Sequence, residues 1–191
     1  MSYSERYARA LGIAARAHRD QVRKGKDVPY VTHPVHVARI LDRHGFSEDL
    51  VLAGLLHDVL EDTAVSEQEL LDAVGGEVVA LVRAVTETKS EDGVERSWEV
   101  RKAEQLAHLA EAPVEVLALK AADAIHNASE TLDDVREHGT EVAFSRFKRG
   151  PGPSVDYYRK IAALCDAGLT THPLAAELRA VVDALASAAR V

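Results

Sequence analysis

One histidine and three carboxylates are concentrated in the segment His57-Asp58-Val59-Leu60-Glu61-Asp62. On a helix that turns by about 100° per residue, these ionisable side chains would share one face. A strongly apolar run at 50–56 comes immediately before them and predicts a buried helix. Charged groups at the end of a buried helix are costly unless they are paired, because an apolar interior solvates them poorly. A bound cation would remove this cost; the alternative interpretation is a solvated helix end with clustered acids.

A second candidate imidazole directly precedes a proline. Pro34 disfavours helical geometry at His33 but suits the first turn of a helix, which we predict over 35–44. We therefore expect His33 to be held at a helix start, with its ring able to point across the domain.

A third stretch places an aspartate among alanines and leucines. Asp123 and Asn127 are four residues apart, so they are neighbours on one face of a helix predicted over 114–137. An aspartate in such surroundings needs a partner. Either a metal ion or a buried salt bridge, for which Lys120 is the candidate, would supply that partner.

Two imidazoles and two carboxylates from three helical regions form one candidate metal site, which consists of His33, His57, Asp58 and Asp123. Mixed nitrogen and oxygen donors with room for water suit a divalent ion such as Mn²⁺ or Fe²⁺. An adjacent histidine and aspartate do not easily share a tetrahedral structural site, and the single cysteine, Cys165, excludes a zinc finger. The pattern is therefore typical of a hydrolytic metal site.

The composition predicts the scaffold that positions these groups. The 191 residues are 47% hydrophobic but only 5% aromatic, which favours one all-α domain. The single cysteine and the polar N-terminus, which lacks an apolar signal segment, predict a soluble cytoplasmic protein. We expect a mobile loop at 88–95 and a stiff connector at 150–153. Helical spacing predicts helices over 3–18, 35–44, 48–62, 66–73, 77–86, 97 to about 109, 114–137, 154–167 and 172–188.

The charge balance restricts the partners. With 23 Lys and Arg against 31 Asp and Glu, the net charge is −8, which argues against binding to nucleic-acid backbone. No apolar run is long enough to span a membrane. An anionic substrate would therefore need a local basic patch. The loop with Arg23, Lys24 and Lys26 is a candidate phosphate clamp, since arginine matches phosphate oxygens with a planar fork, and a solvated loop is the alternative.

The order and spacing of these motifs resemble the HD superfamily of metal-dependent phosphohydrolases. Within it, the chain is similar to the hydrolase domain of the RelA/SpoT homologues in its single-domain form, the small alarmone hydrolases. The resemblance covers about 7–164 and includes a charged helix at 95–102. Its motifs are Arg23-Lys24, Pro29-Tyr30, His33-Pro34, Leu55 to Thr63, and Lys120-Ala121-Ala122-Asp123 with His126-Asn127.

The resemblance implies a fold and a reaction. The fold would be an all-α bundle of about ten helices, one HD-type domain over 1–191 with its core in about 7–164 and a terminal helix at about 172–188. The reaction would be Mn²⁺-dependent removal of the 3′-pyrophosphate of (p)ppGpp, giving GDP or GTP and pyrophosphate. Another divalent transition metal is the alternative to Mn²⁺. Independently of the resemblance, we expect the terminal helix to serve packing or a homodimer.

The resemblance also implies residue roles. The metal ligands would be the four residues of the candidate metal site. Glu61 and Asp62 would orient the attacking water and manage protons, with neither assigned as acid or base. The phosphates would be contacted by Arg23, Lys24, Lys102 and Arg146. Asn127 would contact the ribose or a water on the metal. The base or ribose would be contacted by Tyr30 and Tyr157, and core packing is the alternative for both tyrosines.

Two other functions fit the same residues. One keeps the metal site but changes the substrate to another phosphorylated nucleotide, including the 2′-phosphate of NADPH, with which animal relatives are associated. The other is a nucleotide-binding regulator whose catalysis has lapsed. Its motivation is Ala124, which stands where many relatives carry a basic residue directly after the last aspartate.

Overall fold

Helices make up most of the residues that the structure describes, which are 4–91, 93–147 and 149–191. The structure is a computed structural model whose chain divides into two compact units, Met1–His108 and Leu109–Val191. Eleven helices and one two-stranded ribbon lie within the described ranges, so the predicted all-α fold is confirmed. The single domain over 1–191 stays a prediction.

The first unit carries most of the predicted chemistry. Its helices are α1 (Glu5–Ala17), α2 (Thr32–Arg43), α3 (Glu48–Leu56), α4 (Val59–Asp62), α5 (Glu67–Val74), α6 (Gly76–Val85) and α7 (Trp98–Ala110), the last of which crosses the unit boundary. The segment predicted as a mobile loop contains an antiparallel ribbon of β1 (Ser90–Glu91) and β2 (Val94–Glu95). Asp92, between these strands, lies outside the described residues.

The second unit is built around its longest helix. The described helices that follow α7 are α8 (Val114–His138), α9 (Thr140–Phe144), α10 (Pro151–Gly168) and α11 (Pro173–Ala189). α8 packs against each of the other three. The stiff connector predicted at 150–153 is wrong, because Pro151 begins α10, where the missing N–H of proline costs no hydrogen bond. Lys148, in the basic stretch before this helix, lies outside the described residues.

None of the helices in the described part of the chain combines the length and the apolarity that crossing a bilayer requires.

α3 forms the centre of the first unit's core. Every residue from Leu50 to Leu56 is buried, and the helix packs against α1, α2 and α6. The Ser47 hydroxyl caps its start by accepting a hydrogen bond from the N–H of Leu50, and two acids follow in the first turn, where they complement the positive end of the helix. A helix buried on all sides fixes the position of the residue that follows it, which is His57.

The helix predicted over 48–62 is interrupted at the ionisable residues. α3 ends at Leu56 and α4 begins at Val59, so His57 and Asp58 lie between them. The backbone at Asp58 has φ −97° and ψ −6°, which departs from regular α-helical values. The prediction of one continuous helical face is therefore wrong. The side chains at the interruption contact residues far away in sequence, since His57 meets His33 and Asp58 accepts from Tyr30, and no local pattern encodes these contacts.

His33 lies inside α2 rather than before it. The helix begins at Thr32, so Pro34 is its third residue. Proline is tolerated there because the N–H groups of the first turn have no partner within the helix. The expectation that Pro34 excludes His33 from the helix is wrong, whereas the expectation that His33 lies at a helix start is confirmed.

Gly54 sets the separation between α2 and α3. A Cβ atom at this position would lie 2.9 Å from Cδ1 of Leu41 and 3.1 Å from Cα of Ala38. The leucine could rotate, but the backbone of Ala38 cannot move without separating the helices. We expect Gly54→Ala to lower the free energy of unfolding by about 1–3 kcal/mol, measured by urea denaturation. Gly76→Ala, whose Cβ would meet nothing within 4 Å, is the control, and equal stability of the two variants would contradict this account.

Candidate metal centre

Three side chains that can ligate a metal meet in the first unit. Nε2 of His33 lies 3.2 Å from Nε2 of His57. Oδ2 of Asp58 lies 3.2 Å from Nε2 of His57 and 3.6 Å from Nε2 of His33. Both imidazoles are buried, while 16% of the Asp58 side chain is exposed, so solvent reaches the cluster at the carboxylate. We refer to these three residues as the metal triangle.

The size of the metal triangle fits one divalent cation. Ligand atoms bound to one ion at about 2.0–2.2 Å lie roughly 3 Å apart when the angle between them is near that of octahedral or tetrahedral coordination. The three separations, 3.2, 3.2 and 3.6 Å, agree with that value. Two imidazole nitrogens and one carboxylate oxygen suit a first-row transition ion. The donor set and the geometry therefore agree with the predicted metal chemistry.

A backbone hydrogen bond orients His57. Its Nδ1 lies 2.9 Å from the carbonyl oxygen of Gly54, in the last turn of α3. Because a carbonyl oxygen only accepts, Nδ1 carries the proton, and Nε2 keeps its lone pair on the side that faces His33 and Asp58. This is the tautomer that a metal ligand requires.

Tyr30 supports Asp58 from the loop before α2. Its hydroxyl donates a 2.7 Å hydrogen bond to Oδ2 of Asp58, the oxygen that faces both imidazoles. The ring packs against His18 and, edge-on, against His33, with centroids 4.9 and 5.9 Å away. Burial, followed by the charge of Asp58, raises the pKa of Tyr30, so the hydroxyl remains a donor. The sequence placed Tyr30 beside the base or ribose and did not predict this support.

Replacing Tyr30 with phenylalanine should weaken metal binding without unfolding the protein. The ring keeps its contacts, but Asp58 loses the hydrogen bond that orients its oxygen. Removing such a support costs about 10–100-fold in metal affinity. Calorimetric titration of Mn²⁺ into Tyr30→Phe measures this loss, with Tyr158→Phe in α10 as the matched control. Equal dissociation constants for the two variants would show that Tyr30 does not orient the ligand.

Glu61 and Asp62, the predicted catalytic acids, lie in α4, immediately after the metal triangle. Oε2 of Glu61 accepts a 3.0 Å hydrogen bond from the N–H of Glu87, and its Oε1 lies 3.1 Å from Nζ of Lys89. The same ammonium donates to Oδ1 of Asp62. Burial raises the pKa of Glu61, and the Glu87 N–H and the Lys89 ammonium oppose that rise. A carboxyl group with a raised pKa suits proton transfer.

An ion-pair cluster fixes the segment that contacts these acids. The carboxylate of Glu87 is 7% exposed and lies 2.7 Å from Nη1 of Arg101 and 2.5 Å from Nζ of Lys102, both in α7. In this structure Lys102, predicted to contact phosphate, is therefore bound to an acid of the protein. Its role toward substrate stays a prediction.

Residues of the basic loop contact both Asp62 and Tyr30. The side-chain amide of Gln21 donates a 2.9 Å hydrogen bond to the backbone carbonyl of Asp62. The guanidinium of Arg23 lies 5.3 Å from the centroid of the Tyr30 ring. The structure thus brings Arg23 beside the residue that supports the metal triangle, while Lys24 is exposed on the same loop. The substrate role of both cations stays a prediction.

Asp123 and Asn127, in α8 of the second unit, are neighbours as predicted. Asp123 accepts hydrogen bonds from Nζ of Lys120 at 2.8 Å and from Nδ2 of Asn127 at 2.5 Å. The salt bridge to Lys120 is thus present. The predicted ligand and substrate roles of Asp123 and Asn127 stay predictions.

The other two predicted residues of the second unit are engaged by neighbours in that unit. Arg146 lies 2.5 Å from Oδ2 of Asp134, and its guanidinium is 5.3 Å from the ring centroid of Phe147. Tyr157 is buried in α10, with Tyr158 beside it. Their substrate roles stay predictions, and core packing remains the alternative for Tyr157.

Two residues around the acids were missed by the sequence analysis. Glu87 and Lys89 contact Glu61 and Asp62 across 26 and 27 residues of sequence. No helical period links positions so far apart, and both belong to a polar stretch that has no apolar pattern of its own. The clustering of charge in that stretch was their only sequence signal.

The fold and the site together define an all-α protein with a His-His-Asp cluster followed by two acids. The comparison with known families agrees with this description of the fold and the site. Residues 10–146 match the HD domain family, HD_4, and the chain belongs to this family.

Relatives of known name include both hydrolases and longer proteins. The guanosine-3′,5′-bis(diphosphate) 3′-pyrophosphohydrolase MESH1 of Drosophila melanogaster is 35% identical over 127 residues, 65% of this chain and 68% of that protein. The GTP pyrophosphokinase of Myxococcus xanthus is 37% identical over 133 residues, 68% of this chain but only 17% of that protein. This chain therefore spans a small part of the longer relative.

A solved structure matches nearly the whole chain. It is described as a metazoan ortholog of SpoT that hydrolyses ppGpp and plays a role in starvation responses. The TM-score is 0.76 at 26% sequence identity, with 96% of this chain and 97% of that chain covered.

Proposed function

We propose that this protein removes the 3′-pyrophosphate of (p)ppGpp, giving GDP or GTP and pyrophosphate, with Mn²⁺ as its metal and the cytoplasm as its location. The observation that carries the proposal is the metal triangle with the Glu61–Asp62 pair directly after it. Membership of the HD domain family and the likeness to MESH1 and to the metazoan SpoT ortholog supply the substrate class.

His33, His57 and Asp58 would hold the ion. When bound, the ion supplies Lewis acidity, which activates water near neutral pH and offsets phosphate charge. Tyr30 and the Gly54 carbonyl keep two of these ligands in a fixed orientation. Asp123 enters the proposed ligand set from the family motif alone.

The two acids would manage the protons of the hydrolysis. One carboxylate accepts a proton as water attacks phosphorus, and the bond between phosphorus and the 3′ oxygen breaks. The leaving oxygen takes a proton, so that the products are a ribose hydroxyl and pyrophosphate. The raised pKa of Glu61 allows it to exchange a proton. The acid and base roles belong to Glu61 and Asp62 together, and neither residue is assigned to one role.

Arg23 and Lys24 would provide positive charge for the phosphate groups. A chain with net charge −8 repels a polyphosphate at long range, so binding requires such a local patch. Arg23 is the better placed of the two, because it packs over Tyr30 beside the metal triangle.

The deciding experiment measures pyrophosphate release from ppGpp by protein loaded with Mn²⁺. A chelator control tests the need for metal, and NADPH is run in parallel as a competing substrate. We expect chelator-sensitive pyrophosphate release from ppGpp and no comparable phosphate release from NADPH.

The other outcomes each replace the proposal with a defined alternative. Phosphate release from NADPH alone would retain the metal site and change the substrate. A stoichiometric bound transition metal with no turnover of any nucleotide would favour the lapsed regulator.

A further inference from the structure

An ammonium group lies between the two proposed catalytic acids. Nζ of Lys89 is 3.1 Å from Oε1 of Glu61 and also donates to Oδ1 of Asp62. The lysine side chain is 45% exposed, whereas those of Glu61 and Asp62 are 16% and 25% exposed. Because one cation contacts both carboxylates, their separation and their orientation depend on it.

The backbone on both sides of Lys89 is held in place. Two residues earlier, the N–H of Glu87 donates to Oε2 of Glu61, and the Glu87 side chain is bound by Arg101 at 2.7 Å. One residue later, Ser90 begins the ribbon and pairs with Glu95. Lys89 therefore reaches the acids from an anchored segment, which favours one defined position for its ammonium.

The charges of the three groups indicate the role of the Lys89 ammonium. Two neighbouring carboxylates repel each other when both are ionised. An ammonium between them removes most of this repulsion at short range. With one positive and two negative charges, however, the trio keeps a net charge of −1, so it presents no net positive charge to a phosphate group.

We propose that Lys89 is a positioning residue, which holds the carboxylates of Glu61 and Asp62 at a fixed separation for proton transfer and does not bind the substrate. This inference rests on the proposed function for its kinetic consequence. The contact between Lys89 and the acids is independent of the substrate and is measured separately.

Kinetics of Lys89→Met and Lys89→Arg on ppGpp, with Mn²⁺ present, test the positioning role. Methionine keeps the length of the side chain without its charge, and we expect kcat to fall about 10–100-fold with KM changed by less than about threefold. Arginine restores the cation, so kcat should return to within about fivefold of the wild type. Arg83→Met removes an exposed cation of α6 that is paired with Glu67 of α5. This variant is the matched control and should leave both constants unchanged.

A titration of metal-free protein provides the independent measurement. In protein labelled with ¹³C at the glutamate carboxyls, the Glu61 resonance is assigned by its absence in Glu61→Gln. We expect the Glu61 pKa to rise in Lys89→Met, because the ammonium lowers it, and to return in Lys89→Arg. The groups that face this carboxyl are Asp58, the Glu87 N–H and Lys89, and only Lys89 differs among these proteins.

The outcomes separate the inference from the proposed function. A rise in KM with unchanged kcat would overturn positioning, since it would make Lys89 a phosphate ligand. An unchanged titration of Glu61 in a Lys89→Met protein with wild-type melting temperature would also overturn it. No turnover of ppGpp by the wild type, together with the expected titration, would reject the proposed reaction and its kinetic consequence while confirming the contact between Lys89 and Glu61.

Discussion

Asp58→Ala is expected to abolish metal binding and turnover together. Asp58 supplies the carboxylate oxygen of the metal triangle, 3.2 Å from Nε2 of His57 and 3.6 Å from that of His33. Losing an orienting hydrogen bond alone costs about 10–100-fold in metal affinity, so losing the ligand itself should cost more than about 100-fold. Pyrophosphate release should fall to the rate without enzyme, since the metal triangle loses its carboxylate oxygen.

The fold should survive this substitution. Asp58 lies between α3 and α4, and the buried face of α3 ends before it at Leu56. Calorimetry with Mn²⁺ and thermal melting measure the two properties separately. Asp58→Asn, which keeps the side-chain volume, should show the same loss of metal. Asp42→Ala, which removes a partly exposed aspartate paired with Arg39 at 2.8 Å on α2, should show none. Turnover retained by Asp58→Ala would contradict the site.

Apolar periodicity predicted most of the helices, because most of them bury a face, but it did not predict the short helix α9. The helix predicted over 66–73 is α5, Glu67–Val74, and the one predicted over 114–137 is α8, Val114–His138. The errors in the predicted helix bounds occur where polar side-chain contacts accompany a change in backbone conformation. The predicted helix 48–62 is interrupted at His57 and Asp58, which contact His33 and Tyr30 from a distant part of the sequence.

The metal triangle could be predicted because its residue types are rare in such apolar surroundings. His33, His57 and Asp58 meet within 4.8 Å, as the ligand chemistry required. The groups that orient these ligands could not be predicted in the same way. Tyr30 reaches Asp58 across 28 residues, and the pairing depends on how the loop before α2 folds back. A tyrosine beside a glycine- and lysine-containing loop has many possible partners, and only the tertiary structure selects one.

Substrate roles are harder to assign from sequence for the basic residues than for the candidate metal ligands. A substrate with several phosphates made Arg23, Lys24, Lys102 and Arg146 candidate ligands. In the structure, Lys102 is bound to Glu87 and Arg146 to Asp134. A buried carboxylate without a counter-charge is strongly unfavourable, so in a chain of net charge −8 the buried acids take part of the available cations. Charge near a site therefore indicates a phosphate ligand only after the acids of the protein have been accounted for.

Glu61→Gln should leave metal binding intact and remove most of the rate. The glutamine oxygen can still accept the hydrogen bond from the N–H of Glu87, so the local geometry is retained. It cannot accept or release a proton, and loss of a general acid or base costs about 10²–10⁴-fold in rate. We expect the Mn²⁺ dissociation constant to change by less than about threefold while kcat falls by this factor. Glu67→Gln, an exposed glutamate on α5, is the control.

The pH dependence of the rate identifies the role of Glu61 without assuming it. Burial raises the pKa of Glu61, so the limb of the pH–rate profile that it controls lies above the pH expected for an ordinary glutamate. If Glu61 is the base, the rate falls as the pH drops through this raised pKa, because the carboxylate is needed. If it is the acid, the rate falls as the pH rises through it, because the proton is needed. The limb that disappears in Glu61→Gln therefore assigns the role, and a profile with both limbs unchanged would move the proton transfer to Asp62.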